Sequence, residues 1–226
     1  MDMDHNDCFE NFLVDSSNQF AYAASLAVAA EHGQAWNPFI IYGDAALGKS
    51  HLLNAIRLKI VSQHPTINIL YVSAEVFKND LITAIRFDKT RAFRDKYTNI
   101  DGLLMDDIQL IAGQERMQEE FFHIFKSLYC MGKQVVITCD QFPEDIPNLE
   151  GKRLFRKLER SLIADIDQPH DIETKKAIVE RMAHKLGLKL TIDSNEYPTL
   201  ETFKMKDIQD QLLFYSLFGK NTESRI

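Results

Sequence analysis

The chain has 226 residues, enough for one sizeable domain or a core domain with a small companion. Its 45% hydrophobic and 26% charged residues exclude a disordered or fibrous class. A net charge of −7 excludes a surface that attracts nucleic acid as a whole, so any such contact must come from a local basic patch.

In chain order, the start "MDMDHNDCFENF" is acidic and lacks the basic-then-apolar order of a secretory signal. Short apolar runs then alternate with longer helical patterns, which predicts a parallel sheet covered by helices. The predicted strands are 38–42 (PFIIY), 68–73 (NILYVS), 102–106 (GLLMD), 134–139 (QVVITC) and 162–166 (LIADI). The predicted helices cover 20–33, 49–63, 74–85, 116–132 and 171–187, the last capped by Asp171 after Pro169. A boundary at this proline divides an α/β domain over 1–168 from a small helical piece over 169–226. In that piece "TIDSNEYPT" reads as a loop and "MKDIQDQLLFYSLF" as a late amphipathic helix. Cys8, Cys130 and Cys139 have neither metal-ligand spacing nor an even count, and read as reduced thiols. With no apolar run of membrane-spanning length, these features predict a cytoplasmic protein without membrane contact.

The stretch "GDAALGKS", Gly43 to Ser50, follows a strand and opens a helix, matching G-x-x-x-x-G-K-[ST]. A phosphate needs a loop whose backbone N–H groups turn inward, and glycines supply the dihedrals and the close approach. Gly43, Ala46, Leu47, Gly48, Lys49 and Ser50 are therefore candidate nucleotide contacts. Lys49 is placed for the β and γ phosphates and Ser50 for Mg2+. Ala45 and Ala46 are compatible with the loop if both sit at negative φ.

"GLLMDDIQ" ends an apolar strand in Asp106-Asp107, at the sheet edge where open α/β folds bind ligands. Asp106 is the candidate magnesium residue, direct or through water, and Asp107 the candidate that polarises an attacking water. "QVVITCDQFP" repeats the pattern with Thr138 and Asp140. If its strand lies beside the other two, Asp140 can orient water or sense the γ-phosphate; a turn aspartate before Pro143 has the same signature. "GKRLFRKLERSL" gathers Lys152, Arg153, Arg156, Lys157 and Arg160. Such a run is either a solvated helix face or a source of a cation reaching a neighbour's nucleotide.

Taken together, these segments resemble the ATPase domain of the bacterial replication initiator DnaA, an AAA+ protein. The likeness runs through roughly residues 9 to 187 and includes "FENFLVDSSNQFAYAASLAVAAEHGQAWNPFIIYG", "LLMDDIQLIAGQERMQEEFFHIFKSL" and "SLIADIDQPHDIETKKAIVERMA". It implies an AAA+ P-loop fold: a five-stranded parallel sheet sandwiched by helices, an initiator-type helical insertion around 75–98, and a shortened helical lid. It also implies ATP or ADP with Mg2+, an adenine bordered by Leu13, Val14 and Asn18, and single-stranded DNA touched by Ile82 and Arg116. Partners implied are a second copy or a full-length initiator, with the sliding clamp or the replicative helicase as further ones.

Departures from the family are also visible. Lys157, with Arg156 beside it, stands where the family carries an arginine reaching across subunits, and lysine lacks the planar fork. Phe214 aligns where the lid helix supplies an arginine, Thr98 where an interface arginine is common, and the helix-turn-helix domain that reads duplex DNA is not seen. The resulting expectation is an initiator-like, weak ATPase in initiation or regulation of chromosomal replication, assembling with itself or with a full-length initiator. Alternatives are an Hda-type clamp-associated regulator, a non-hydrolysing nucleotide-binding module, and a helicase loader. Lys78, Arg86, Lys89, Arg91, Arg94, Lys96 and Arg116 form a candidate DNA track, interleaved with Asp80, Asp88 and Asp95 that can equally balance it.

Overall fold

The computed structural model describes residues 7–31, 36–149, 161–190, 192 and 197–218. Its elements in chain order are α1 (Gln19–Ala30), β1 (Phe39–Tyr42), α2 (Lys49–Gln63), β2 (Ile69–Ser73), α3 (Ala74–Arg86) and α4 (Thr90–Thr98). They continue with β3 (Gly102–Asp106), α5 (Glu115–Cys130), β4 (Gln134–Cys139), β5 (Leu162–Asp165), α6 (Ile172–Lys185), α7 (Tyr197–Thr202) and α8 (Met205–Phe218).

The five strands form one parallel sheet in the order β2-β3-β4-β1-β5. Alternate side chains of a strand face opposite sides, and the two cores follow that rule. Phe39, Ile41, Leu104, Val136 and Ala164 face a cluster built with α1, α2 and α6. Ile40, Leu103, Met105, Val135 and Ile137 face a cluster built with α3, α4 and α5. β3 and β4 are covered on both faces and wholly buried, and accordingly apolar except for Gln134, Thr138 and Asp106 at or near their ends.

Helix starts are fixed locally. Ser73 Oγ accepts from the Val76 N–H at 3.3 Å and opens α3. Asp171 Oδ2 accepts from the Thr174 N–H at 2.8 Å and opens α6, as the sequence predicts. The segment between β2 and β3 is firmly seated. Phe77 meets Phe93, Tyr97 and Phe121 with ring centroids 5.2, 5.0 and 6.2 Å apart, and burying each such ring stabilises by about 1.5–3 kcal/mol. The Arg94 guanidinium grips Glu120 of α5 through both oxygens, at 2.7 and 2.8 Å.

One segment expected as a loop is in part helix, and two cations of the candidate DNA track have acidic partners, as the balancing alternative expects. The region 191–199, read as a loop, includes α7 from Tyr197; Pro198 in its first turn fits a helix start, where no N–H is required. In the candidate DNA track, Lys96 pairs with Asp80 at 2.5 Å and Arg94 with Glu120, so two of its cations are already held within the fold.

Candidate functional site

The sheet order brings the chemistry together. β4 lies between β1 and β3, so the ends of these three neighbouring strands deliver the glycine loop, Asp140 and the Asp106-Asp107 pair to one edge. The Gly43 N–H donates to the Cys139 carbonyl at 3.3 Å, tying the loop's start to the tip of β4.

Gly43 has φ +151, and a Cβ there would lie 2.2 Å from the Ile166 carbonyl oxygen. Gly48 has φ +91, and a Cβ there would lie 2.9 Å from the Phe12 ring. Both positions therefore demand the residue they carry. Ala46, by contrast, has φ +67, which corrects the expectation of negative φ in the alanine pair; the loop holds an L-residue in the left-handed region.

Lys49 is buried at the start of α2, its Nζ donating to the Gly43 and Asp44 carbonyls at 2.7 Å each. Burial draws its ammonium below the usual lysine range, opposed by the charges of Asp107 and Asp106. The cation thus sits inside the loop with little water and is stabilised by nearby acids.

Asp106 is 5% exposed and lies beneath the site rather than in its wall. One carboxylate oxygen accepts from the Tyr71 hydroxyl at 2.7 Å and the other from the Thr138 hydroxyl. That same Thr138 oxygen accepts from the Asp107 N–H at 2.9 Å, fixing Asp107 at φ +57. The Asp107 carboxylate accepts from Gln109 Nε2 at 3.0 Å. Burial raises its pKa, with Asp106 and Asp140 adding to the rise while Gln109 and Lys49 oppose it.

These groups border a cavity of about 560 Å³. Of the residues proposed from sequence, Ala46, Leu47, Gly48, Lys49 and Ser50 line it from the loop. Asp107 and Asp140 line it from the strand tips, and Leu13 and Asn18 from the N-terminal side. Asn18 bridges its own loop, donating to the Leu13 carbonyl and accepting from the Asp15 N–H, both at 3.0 Å. Its amide therefore shapes the rim beside Leu13. Val14, 42% exposed, does not line the cavity. Ile82, 48% exposed on α3, and Arg116, exposed in the first turn of α5, lie on the outer surface away from it. Arg156 and Lys157 fall outside the described residues.

Sequence reasoning missed the cavity's second wall. Ile178, Arg181, Met182 and Lys185 enter from α6 and Gln209 from α8. Phe214, aligned with a lid arginine, is instead 60% exposed and outside the lining, so among the described residues the lid cations facing the cavity are Arg181 and Lys185. Their i, i+4 spacing on one helical face was the available signal. Arg181 donates to the Asn11 carbonyl and Lys185 pairs with Asp7. His51 meets the Cys8 carbonyl through Nε2 at 2.8 Å and Asp7 through Nδ1 at 3.3 Å. The segment 7–12 is thereby strapped to both walls. Among the described residues no group of three or more His, Cys, Asp and Glu side chains forms a self-sufficient metal cluster, and no helix is long and apolar enough to cross a membrane.

A family model for the bacterial DnaA ATPase domain matches residues 3–165. The chain is 49% identical over 189 residues to the chromosomal replication initiator protein DnaA of Thermomicrobium roseum, covering 84% of this chain and 40% of that protein. It is 45% identical over 216 residues to that of Thermus thermophilus, covering 93% of this chain and 49% of that protein. The chain therefore spans less than half the length of these relatives. Among solved structures, domain III of the Thermotoga maritima replication initiation protein DnaA superposes with a TM-score of 0.80 at 32% identity, over 98% of this chain and 94% of that one. A replication initiator DnaA bound to AMPPCP and single-stranded DNA superposes with a TM-score of 0.75 at 29% identity, over 96% of this chain and 66% of that one.

Proposed function

The chain belongs to the family of bacterial DnaA ATPase domains, and we propose that it binds ATP and uses the bound state to assemble with itself or with a full-length initiator in replication initiation or its control. The observation that carries this reading is the cavity itself, where a glycine loop with a desolvated lysine faces two acidic strand tips and a separate apolar rim.

In this reading the loop N–H groups, the start of α2 and Lys49 hold the β and γ phosphates. Leu13 and the loop braced by Asn18 border the adenine. Arg181 and Lys185 close over the phosphates from the lid. The residues fit magnesium as well, because that ion keeps several waters and takes one or two carboxylates beside the substrate phosphates, without a dedicated protein cage. Ser50 would hold it directly, and Asp106, with each oxygen engaged by a hydroxyl, through water. Bound there, magnesium would neutralise phosphate charge as it develops. Asp107 aligns an attacking water and Asp140 senses the γ-phosphate, giving slow hydrolysis to ADP and phosphate.

Single-stranded DNA is assigned to the outer face of α3 and the start of α5, where Ile82 and Arg116 are exposed beside Arg86, Lys89 and Arg91. That a similar initiator is described as bound to single-stranded DNA supports the ligand class. Contacts through a few cations predict weak, salt-sensitive binding.

The test is sedimentation of the chain, alone and mixed with full-length initiator, in ATP and in ADP. A faster-sedimenting species that forms in ATP and is absent in ADP is the predicted result. Identical boundaries in both nucleotides would overturn the assembly reading.

A further inference from the structure

Beside the candidate water-aligning carboxylate, Gln109 sits on the one-turn 3-10 helix Ile108–Ile111 that follows β3, and it lines the phosphate cavity. Its Nε2 donates to Asp107 Oδ1 at 3.0 Å. A carboxylate only accepts, so this contact fixes which end of the amide is nitrogen and which is oxygen. Its other end, Oε1, is shielded from solvent and has no hydrogen-bond partner among the described residues. A buried acceptor left unpaired forfeits its hydration without a compensating hydrogen bond. Holding Asp107 alone does not require that cost: a lysine would donate to the carboxylate and carry no acceptor to leave unpaired.

We propose that Gln109 is a water-positioning residue of this cavity, holding Asp107 with its amide N–H and receiving the second hydrogen of the attacking water on Oε1. The proposal rests on the hydrolysis reading above and deepens it. A water attacking phosphorus has two O–H bonds to direct, and one carboxylate aligns only one of them. The terminal torsion of glutamine is broad. In the proposed closed site the amide turns about this torsion so that Oε1 faces the cavity that Gln109 lines. Bulk water is kept from this oxygen, so the donor that reaches it is one held by the closed site.

In the step itself, the water oxygen forms a bond to the γ-phosphorus as the bond from that phosphorus to the bridging oxygen breaks. The electron pair of the broken bond leaves with ADP. One water proton passes to Asp107 and on to solvent, and the other stays on the phosphate. Gln109 changes neither charge nor protonation. It sets the approach of the water to the line of attack, the same kind of task an orienting glutamine performs in other phosphoryl-transfer sites.

The experiment compares the wild-type chain with Gln109→Met, close in shape but unable to hydrogen-bond in this way, and Gln109→Glu, which keeps an acceptor and loses the donor. ATP affinity is read by calorimetry with magnesium, turnover under saturating ATP, and folding by thermal melting. Gln109→Met is expected to bind ATP within about twofold of wild type and to melt at or slightly above it, whereas Gln109→Glu, which sets a second carboxylate against Asp107, is expected to melt lower and is compared by kcat at saturating ATP. Their kcat is expected to fall roughly 10- to 100-fold with KM little changed, the pattern of an interaction made only in the transition state. Full turnover in either variant overturns the proposal, as does a loss of affinity that accounts for the loss of turnover. A wild-type chain that binds ATP and never turns it over also overturns it while leaving the nucleotide-binding reading intact. A wild-type chain that binds no ATP removes that reading first.

Discussion

Gly43→Ala places a methyl group where the fold has none to spare. The new Cβ would lie 2.2 Å from the Ile166 carbonyl oxygen and 3.2 Å from its carbonyl carbon. An ordinary carbon–oxygen contact is about 3.3 Å, so the backbone at Ile166 must retreat by about 1 Å. No rotamer change relieves this, because the obstructing atom is main chain. Retreat is resisted on both sides: the Ile166 N–H donates to the Tyr42 carbonyl at 2.8 Å, and its side chain is 3% exposed in the core. The alanine must also hold φ +151, which L-residues rarely adopt. Overpacking of about 1–3 kcal/mol and backbone strain of about 1–3 kcal/mol combine to a loss of roughly 2–6 kcal/mol. In a domain of this size that lowers the melting temperature by roughly 4–24 °C. Calorimetric melting of both proteins is the assay, with the urea midpoint as a second measure. A variant melting within about 2 °C of wild type would refute the close approach on which the loop geometry rests.

Ala46→Gly acts in the opposite sense. Relief of an alanine at φ +67 outweighs the added freedom of the unfolded chain, raising the melting temperature by about 1–4 °C; an unchanged or lower value contradicts the left-handed assignment. Asp107→Ala is expected to retain ATP binding and to lose turnover by at least about 100-fold, read by phosphate release; parallel loss of binding contradicts its assignment to the water. His51 gives a pH signature. Burial holds its imidazole below the ordinary 6.5, against the opposing pull of the Cys8 carbonyl and Asp7. The unfolded chain then binds more protons, so stability is full above 6.5 and falls as pH drops from there toward the lower folded-state value. His51→Gln, whose amide can still donate to the Cys8 carbonyl, is expected to lose less stability than wild type between about pH 7 and 5, read as melting temperature against pH. Equal slopes would contradict the buried neutral imidazole.

The strands were legible because a parallel sheet covered on both faces needs unbroken apolar runs, and β3 and β4 occupy the predicted residues without a shift. The phosphate loop was legible for a related reason: glycines at Gly43 and Gly48 answer to local φ and close approach, both written at fixed spacing. What the sequence could not show is strand order. That β4 lies between β1 and β3, setting Thr138 between Asp106 and Asp107, depends on crossovers that no local pattern specifies. The lid wall was hidden for the same reason. Arg181 borders the cavity from α6, whereas alignment along α8 pointed to Phe214, which is 60% exposed and outside the lining. The sign of φ at Ala46 escaped because nothing in an alanine's chemistry reports a left-handed backbone.

Lys49 is expected to be the side chain through which this cavity holds a magnesium-bound adenine nucleotide. Calorimetric titration of ATP with magnesium into the wild-type chain and into Lys49→Ala, both checked for equal melting, measures that claim. The expected result is saturable binding near one nucleotide per chain for wild type and none for the variant. A flat titration of the wild type, or equal binding by both, would contradict it.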